Sequence, residues 1–180
     1  HVILATGAIE RPLVFAGNDI PGVMLCSAAL EFYKLYGVSP GDRVVVLTNN
    51  DSAYSSVIEL FNAGISVPLV IDVREKSNGN LPLKAKKLGI RVEFSKAISK
   101  VIGKKKVKAV ELCSVVGEGA VLETIICDSV LMSGGWTSTL NLWSHCGGKI
   151  KWDSKLNTLV PDESLPSINE FGRSFITVLG

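Results

Sequence analysis

The sequence predicts an α/β fold built around a Rossmann-like βαβ unit, on three observations. Residues 43–48 (RVVVLT) are an apolar, β-branched run of the length of a buried strand. The segment DSAYSSVIELFNAG carries Tyr54, Val57, Ile58 and Phe61 at i, i+3, i+4 and i+7, the core stripe of an amphipathic helix closed by Gly64. Residues 66–72 (SVPLVID) then form a second apolar strand, which ends in a carboxylate.

A nucleotide-binding unit of this kind turns from strand to helix through G-x-G-x-x-G, because a pyrophosphate must approach bare backbone at the helix N-terminus. Here the turn is Asn49-Asn50-Asp51-Ser52-Ala53-Tyr54, with no glycine. Asp51 stands at the N-cap position, where its carboxylate would satisfy the free N–H groups of the helix and repel a phosphate. Tyr54 adds bulk where a ligand would need close approach. Asp72, in contrast, lies at about the spacing expected of a ribose-binding acid. The two signals conflict, and the electrostatics of the turn favour a structural βαβ over a working nucleotide site.

The other elements follow in chain order. VILATGA (2–8) reads as a short strand entering a Gly turn, and 17–22 (GNDIPG) as a loop. Leu25, Ala29, Phe32 and Tyr36 have near-helical spacing, with Gly37 as C-cap. After Asp72 a polar loop leads to a short helix near 82–88, ended by Gly89, and to the strand 90–95 (IRVEFS). From Ala97 to Ser133 apolar and alternating runs separated by turns predict a β-meander. The tail from Ser144 carries few periodic signals. The expected organisation is an inserted Rossmann-like domain at 23–127, with 1–22 and 128–180 belonging to a flanking domain.

Composition narrows the classes. The chain has 180 residues, 47% hydrophobic and 20% charged, enough for a packed core. Nineteen basic against seventeen acidic residues give a net charge of +2, which is no footprint for nucleic acid. Lys104-Lys105-Lys106 reads as a solvated hairpin turn. No apolar stretch has the length needed to span a bilayer, so no membrane partner is expected. The chain begins and ends inside apolar runs without an initiator Met, and it reads as a fragment. Cys26, Cys113, Cys127 and Cys146 lack metal-ligand spacing, and with His1 and His145 as the only histidines no metal site is predicted. Reduced cysteines fit a cytoplasmic protein, with Cys26, Cys113 and Cys127 in the core.

Two further motifs carry candidate chemistry. Ala5-Thr6-Gly7-Ala8 follows a strand, and taken alone it is a tight turn with the Thr hydroxyl capping a local N–H. In 127–137 (CDSVLMSGGWT) an apolar strand delivers Gly134, Gly135 and Trp136 to its C-terminal edge, where ligands collect in α/β sheets. Two glycines permit backbone contact with a cofactor and Trp136 could cover a flat ring. The same residues would equally serve a turn and a core.

In combination these motifs resemble the two-dinucleotide-domain flavoproteins, and more closely the family of α subunits of heterotetrameric sarcosine oxidase. HVILATGAIERPLVFAGNDIPGVML, TNNDSAY, VIDVRE, SGGWT and GGKIKWD match in order over nearly the whole chain. Ser138 stands where that family usually has Pro, and Asn141, His145 and Cys146 replace its usual His, Gln and Ser. The resemblance implies an α/β, FAD/NAD(P)-binding-type three-layer fold, with the Rossmann-like βαβ and meander inserted between strands of the first dinucleotide domain. It implies a part in the oxidative demethylation of sarcosine to glycine, with hydrogen peroxide released and formaldehyde passed to tetrahydrofolate. It further implies a non-covalent NAD on the α subunit, FAD and FMN elsewhere in the complex, and β, γ and δ subunits as partners. The candidate cofactor contacts are Thr6, Gly7, Gly134, Gly135 and Thr137, and no residue is assigned as acid, base or nucleophile. The Gly-rich loop, the folate region and the amine-handling residues would lie outside the chain, leaving the fragment inactive alone. A related amine-oxidising subunit (dye-linked proline dehydrogenase, opine oxidase or cyanide synthase) and a non-catalytic interaction module are the alternatives.

Overall fold

The structure, a computed structural model, describes residues 1–179. Gly180 lies outside them. In chain order the elements are β1 (Val2–Leu4), β2 (Ala8–Glu10), β3 (Val23–Leu25), α1 (Cys26–Tyr36), β4 (Arg43–Thr48), α2 (Ser52–Asn62), β5 (Ser66–Asp72), α3 (Asn80–Lys87) and β6 (Val92–Phe94). Then come β7 (Lys96–Gly103), β8 (Val107–Ser114), β9 (Glu123–Ile126), β10 (Ser129–Ser133), β11 (Trp136–Ser138), α4 (Asn141–His145), β12 (Ile150–Asp153), β13 (Thr158–Pro161) and β14 (Ile176–Val178). They form two compact units, 12–135 and a second made of 1–11 with 136–180.

The unit 12–135 is organised by a five-stranded sheet in the order β3-β10-β4-β5-β6, parallel throughout. Strands covered on both faces need no polar side, which is why β4 and β10 read as unbroken apolar runs. Alternation along them still sorts the side chains into two cores. Val44, Val46, Val70 and Leu131 pack under the helices with Ala29, Tyr54, Val57, Leu60 and Ala85. Val45, Leu47, Leu69, Ile71 and Met132 face the other way, onto Ile98, Val101, Val110 and Leu112. Those last four belong to the antiparallel sheet β7-β8-β9. The unit is therefore three layers deep: helices, parallel sheet, meander.

Local signals set the ends of the elements. Gly37 adopts φ 65° and its N–H donates to Tyr33 O, closing α1 as its position predicts. The exposed Lys104-Lys105-Lys106 forms the β7–β8 turn. The Asp128 carboxylate accepts the backbone N–H groups of Asp42 and Arg43 at 3.0 and 2.9 Å, anchoring the entry to β4. Cys26, Cys113 and Cys127 are buried and free, and Cys146 is exposed.

The unit limits differ from the sequence expectation of 23–127. The strand 129–133 pairs in parallel with both β3 and β4, so it is an internal strand of this sheet and not part of the flanking segments. The meander accordingly ends with β9. A run of five buried residues joins the sheet that offers it two partners, a choice invisible to local pattern.

In the unit 1–11 with 136–180, β1 pairs with β14 in parallel, β2 with β11 antiparallel, and β12 with β13 as a hairpin. Trp143 is buried and its Nε1–H donates to Lys149 O at 2.7 Å. The tail from Ser144 thus holds three strands, β12, β13 and β14, among residues with weak periodicity. Its apolar residues are split between faces that stay largely exposed, as Trp152 and Leu159 show.

Candidate functional site

In a parallel α/β sheet the C-terminal strand ends are the ligand edge. In the unit 12–135 that edge is made by the residues following β4, β5 and β10. Thr48 Oγ1 accepts from the Asn50 N–H and donates to Asn50 O, both at 3.1 Å, which folds the turn back on itself. Asn50 Nδ2 donates to Ser133 O at 3.1 Å and Ser133 Oγ at 3.0 Å, and Asn49 Nδ2 to Gly134 O at 3.4 Å. The two asparagines that replace glycines therefore stitch the turn to the end of β10.

Asp51 is not the side-chain cap of α2 that its position suggested. The carbonyl oxygen of the Asn50 side chain performs that role, accepting the Ala53 N–H at 3.3 Å and the Ser52 hydroxyl at 2.6 Å. The backbone at Asp51 is already helical, with φ −80° and ψ −22°. A capping residue needs extended backbone to aim its side chain at the N–H groups ahead. Asp51 instead points to the loop after β5, where it accepts from Arg74 Nη2 at 2.7 Å and from Ser77 Oγ at 2.9 Å.

Asp72 is fully buried and also engaged. It accepts from the Tyr54 hydroxyl at 2.8 Å, Arg74 Nε at 3.0 Å, Arg74 Nη2 at 2.7 Å and the Arg74 backbone N–H at 3.1 Å. Burial, and then the Asp72 carboxylate, push the Tyr54 phenol well above its ordinary range. Hydrogen bonding to Asp72 does the same for the Arg74 guanidinium. The cluster is an electrostatic tie between α2 and the end of β5.

A dinucleotide does not fit the turn after β4 and the end of β5. The first donors of α2 are taken by Asn50 and by Asp51 O, which accepts the Tyr54 N–H at 3.2 Å. The carboxylate at the ribose-binding position is sealed under Tyr54 and Arg74. Arg74, Ser77 and the capping role of Asn50 escaped the sequence reading. Its available signal was the Asp-x-Arg spacing of 72–74, which sets two opposite charges on the same side of an extended segment.

The candidate contacts divide between the units. Gly134 and Gly135 are buried at the C-terminal end of β10, and Gly135 adopts φ 85°. Thr6, Gly7 and Thr137 belong to the other unit and are exposed. Thr6 Oγ1 donates to Thr139 O at 2.7 Å, and Gly7 O accepts the Thr139 N–H at 3.0 Å. Gly7 has φ 65° and open space where a Cβ would sit, so its backbone is approachable. A cavity of about 530 Å³ in that unit is lined by Trp143, Lys151, Val160, Ser174 and Ile176, and by none of Thr6, Gly7 or Thr137. Among the described residues no cluster of three or more His, Cys, Asp or Glu could hold a metal, and no helix is long and apolar enough to cross a membrane.

Solved structures place the chain in the fold class of the FAD/NAD(P)-binding oxidoreductases. Thioredoxin reductase of T. acidophilum matches with a TM-score of 0.71 at 20% identity, over 100% of this chain and 56% of that one. L-proline dehydrogenase of P. horikoshii matches with a TM-score of 0.60 at 23% identity, over 99% and 29%. No family model matches the chain. The resemblance to the α subunits of sarcosine oxidase is borne out along nearly the whole sequence. Identity is 35% over 175 residues to the sarcosine oxidase α subunit of Rhizobium meliloti (strain 1021), covering 97% of this chain. It is 36% over 172 residues to that of Corynebacterium sp. (strain P-1), covering 92%. An opine oxidase subunit of Agrobacterium tumefaciens (strain Ach5) is 25% identical over 177 residues, covering 89% of this chain and 35% of that protein. The chain spans 17% of the length of the two sarcosine oxidase relatives.

Proposed function

We propose that the chain is the middle segment of an α-type subunit of a sarcosine oxidase, an oxidoreductase that demethylates sarcosine with a flavin and works with partner subunits. The observation that carries this reading is identity of 35% sustained over 97% of the chain to a sarcosine oxidase α subunit. In this reading the unit 12–135 is a nucleotide domain turned scaffold. The closed edge around Asp51, Asp72 and Arg74 supports that role. The NAD is held by the flanking domain, with Thr6, Gly7 and Thr137 as its candidate contacts there. Gly134 and Gly135 are candidates by themselves at the end of β10. The exposed and sterically open Gly7 supports the first set. FAD, FMN and tetrahydrofolate, with the β, γ and δ subunits, complete the enzyme. The chain alone turns over no sarcosine.

The test is co-expression of the polypeptide containing this chain with its partner subunits. Sarcosine-dependent peroxide release is expected, with NAD retained through purification. A Gly7→Val variant is expected to lose at least about tenfold in NAD affinity, because its Cβ and methyl groups fill the approach and its φ is strained. Peroxide release with proline or an opine but not sarcosine would move the assignment to a related amine oxidase. An enzyme that neither retains nor binds NAD would reduce the chain to an interaction module.

A further inference from the structure

The loop 74–79 wraps one carboxylate from three sides. Arg74 Nη2 and Ser77 Oγ both donate to Asp51 Oδ1, at 2.7 and 2.9 Å. Asp51 Oδ2 lies so close to Gly79 that a Cβ built there would be 1.8 Å from it, so a side chain at 79 would displace the Asp51 carboxylate. Ser77 Oγ also accepts the Gly79 N–H at 3.2 Å, which fixes the hydroxyl between the two.

Arg74 does not need Asp51 for charge balance. Asp72, fully buried, already takes its Nε and Nη2, and the Asp72 side of that pair has no access to water. Asp51 and Arg74 keep 38% and 30% of their side-chain surface. Two carboxylates therefore share one guanidinium, and the second sits in the half that solvent can reach. A planar guanidinium N–H, a hydroxyl and a bare α-carbon are the contacts that suit a small oxyanion.

We propose that Asp51 is a built-in anion: its carboxylate occupies a cradle made by Arg74, Ser77 and Gly79 that would otherwise accept a phosphate-like oxyanion. Being tethered, it holds the cradle at an effective concentration no free anion matches. It also leaves the site with two negative charges against one positive, so a second anion is repelled. Asp51 is thus the residue that keeps anionic ligands off this end of the sheet.

The test is titration of the full chain with inorganic phosphate at constant ionic strength, against chloride, by calorimetry and thermal melting. The wild type is expected to show no saturable binding. Asp51→Gly is expected to bind phosphate at least about tenfold more tightly than wild type, the worth of one charge-assisted hydrogen bond or more. Adding Ser77→Ala to that variant is expected to weaken the gain several-fold, which a merely structural Asp51 would not produce. If circular dichroism shows Asp51→Gly unfolded, Asp51→Ser removes the same charge and is expected to show the same gain. Equal phosphate binding by wild type, no gain in the folded variants, or a gain indifferent to Ser77→Ala would each overturn the proposal.

Discussion

Replacing Arg74 with Met should be the most damaging single change at the ligand edge, and its cost can be worked from the contacts. Asp72 has no exposed surface and accepts four hydrogen bonds, two of them from the guanidinium. Arg74→Met removes both and the positive charge that pairs with Asp72, leaving the Tyr54 hydroxyl and one backbone N–H. Breaking a buried pair by removing one partner costs about 3–5 kcal/mol, because a buried charge is left uncompensated. Tyr54→Phe takes away one bond to that charge and strands no polar atom of its own, so about 1.5–3 kcal/mol is expected. Asp51→Asn should cost less than about 1 kcal/mol, since more than a third of the Asp51 side chain is in solvent, which screens the pair. The triple change Tyr54→Phe, Asp72→Leu, Arg74→Met should recover most of the Arg74→Met loss, since a buried ion pair replaced whole by apolar groups is often neutral. Urea unfolding followed by tyrosine absorbance is the assay, because all three tyrosines lie in the unit 12–135 and all three tryptophans in the other. An Arg74→Met cost below about 1 kcal/mol would refute the reasoning, as would a triple variant no more stable than the single one.

Two further outcomes follow from burial. The Cys127 thiol is buried and pushed up to about 12, first by desolvation and then by the Asp128 charge. The unfolded chain releases that proton near the ordinary thiol range while the folded chain retains it. Its contribution is therefore fully present below about pH 9 and is lost as pH rises towards about 12, by up to about 1.4 kcal/mol per unit. Cys127→Ala should flatten the alkaline slope of stability relative to wild type, and parallel slopes would contradict the assignment. Leu131→Ala, in the strand between β3 and β4 and with no exposed surface, should cost about 2–5 kcal/mol by leaving a cavity under the helices. Its urea midpoint checks this, and a loss under about 1 kcal/mol would mean that the layer collapses around the site.

The βαβ unit was legible because each of its signals is local. The 43–48 run, the Tyr54-Val57-Ile58-Phe61 stripe and the 66–72 run appear as β4, α2 and β5, and Gly37 and Gly64 end their helices with φ of 65° and 88°. Even so, local reasoning mistook Asp51. An Asp before a helix has two uses for its carboxylate, and the choice depended on Arg74 and Ser77 arriving from the loop after β5. Asn50, one residue earlier, was then free to cap.

The absence of phosphate-binding glycines at 49–54, the α/β class and the buried character of 129–133 were determined by the sequence alone, because composition and period act over a few residues. Where 129–133 inserts, between β3 and β4, was decided only by the tertiary structure, since two partners on the sheet compete better than the adjacent meander. The same holds for the closed ligand edge. Asp72 was legible as a carboxylate at the end of a strand, but its fate was settled by Tyr54 and Arg74 together, whose hydroxyl and guanidinium converge on it only once α2 has packed on the sheet.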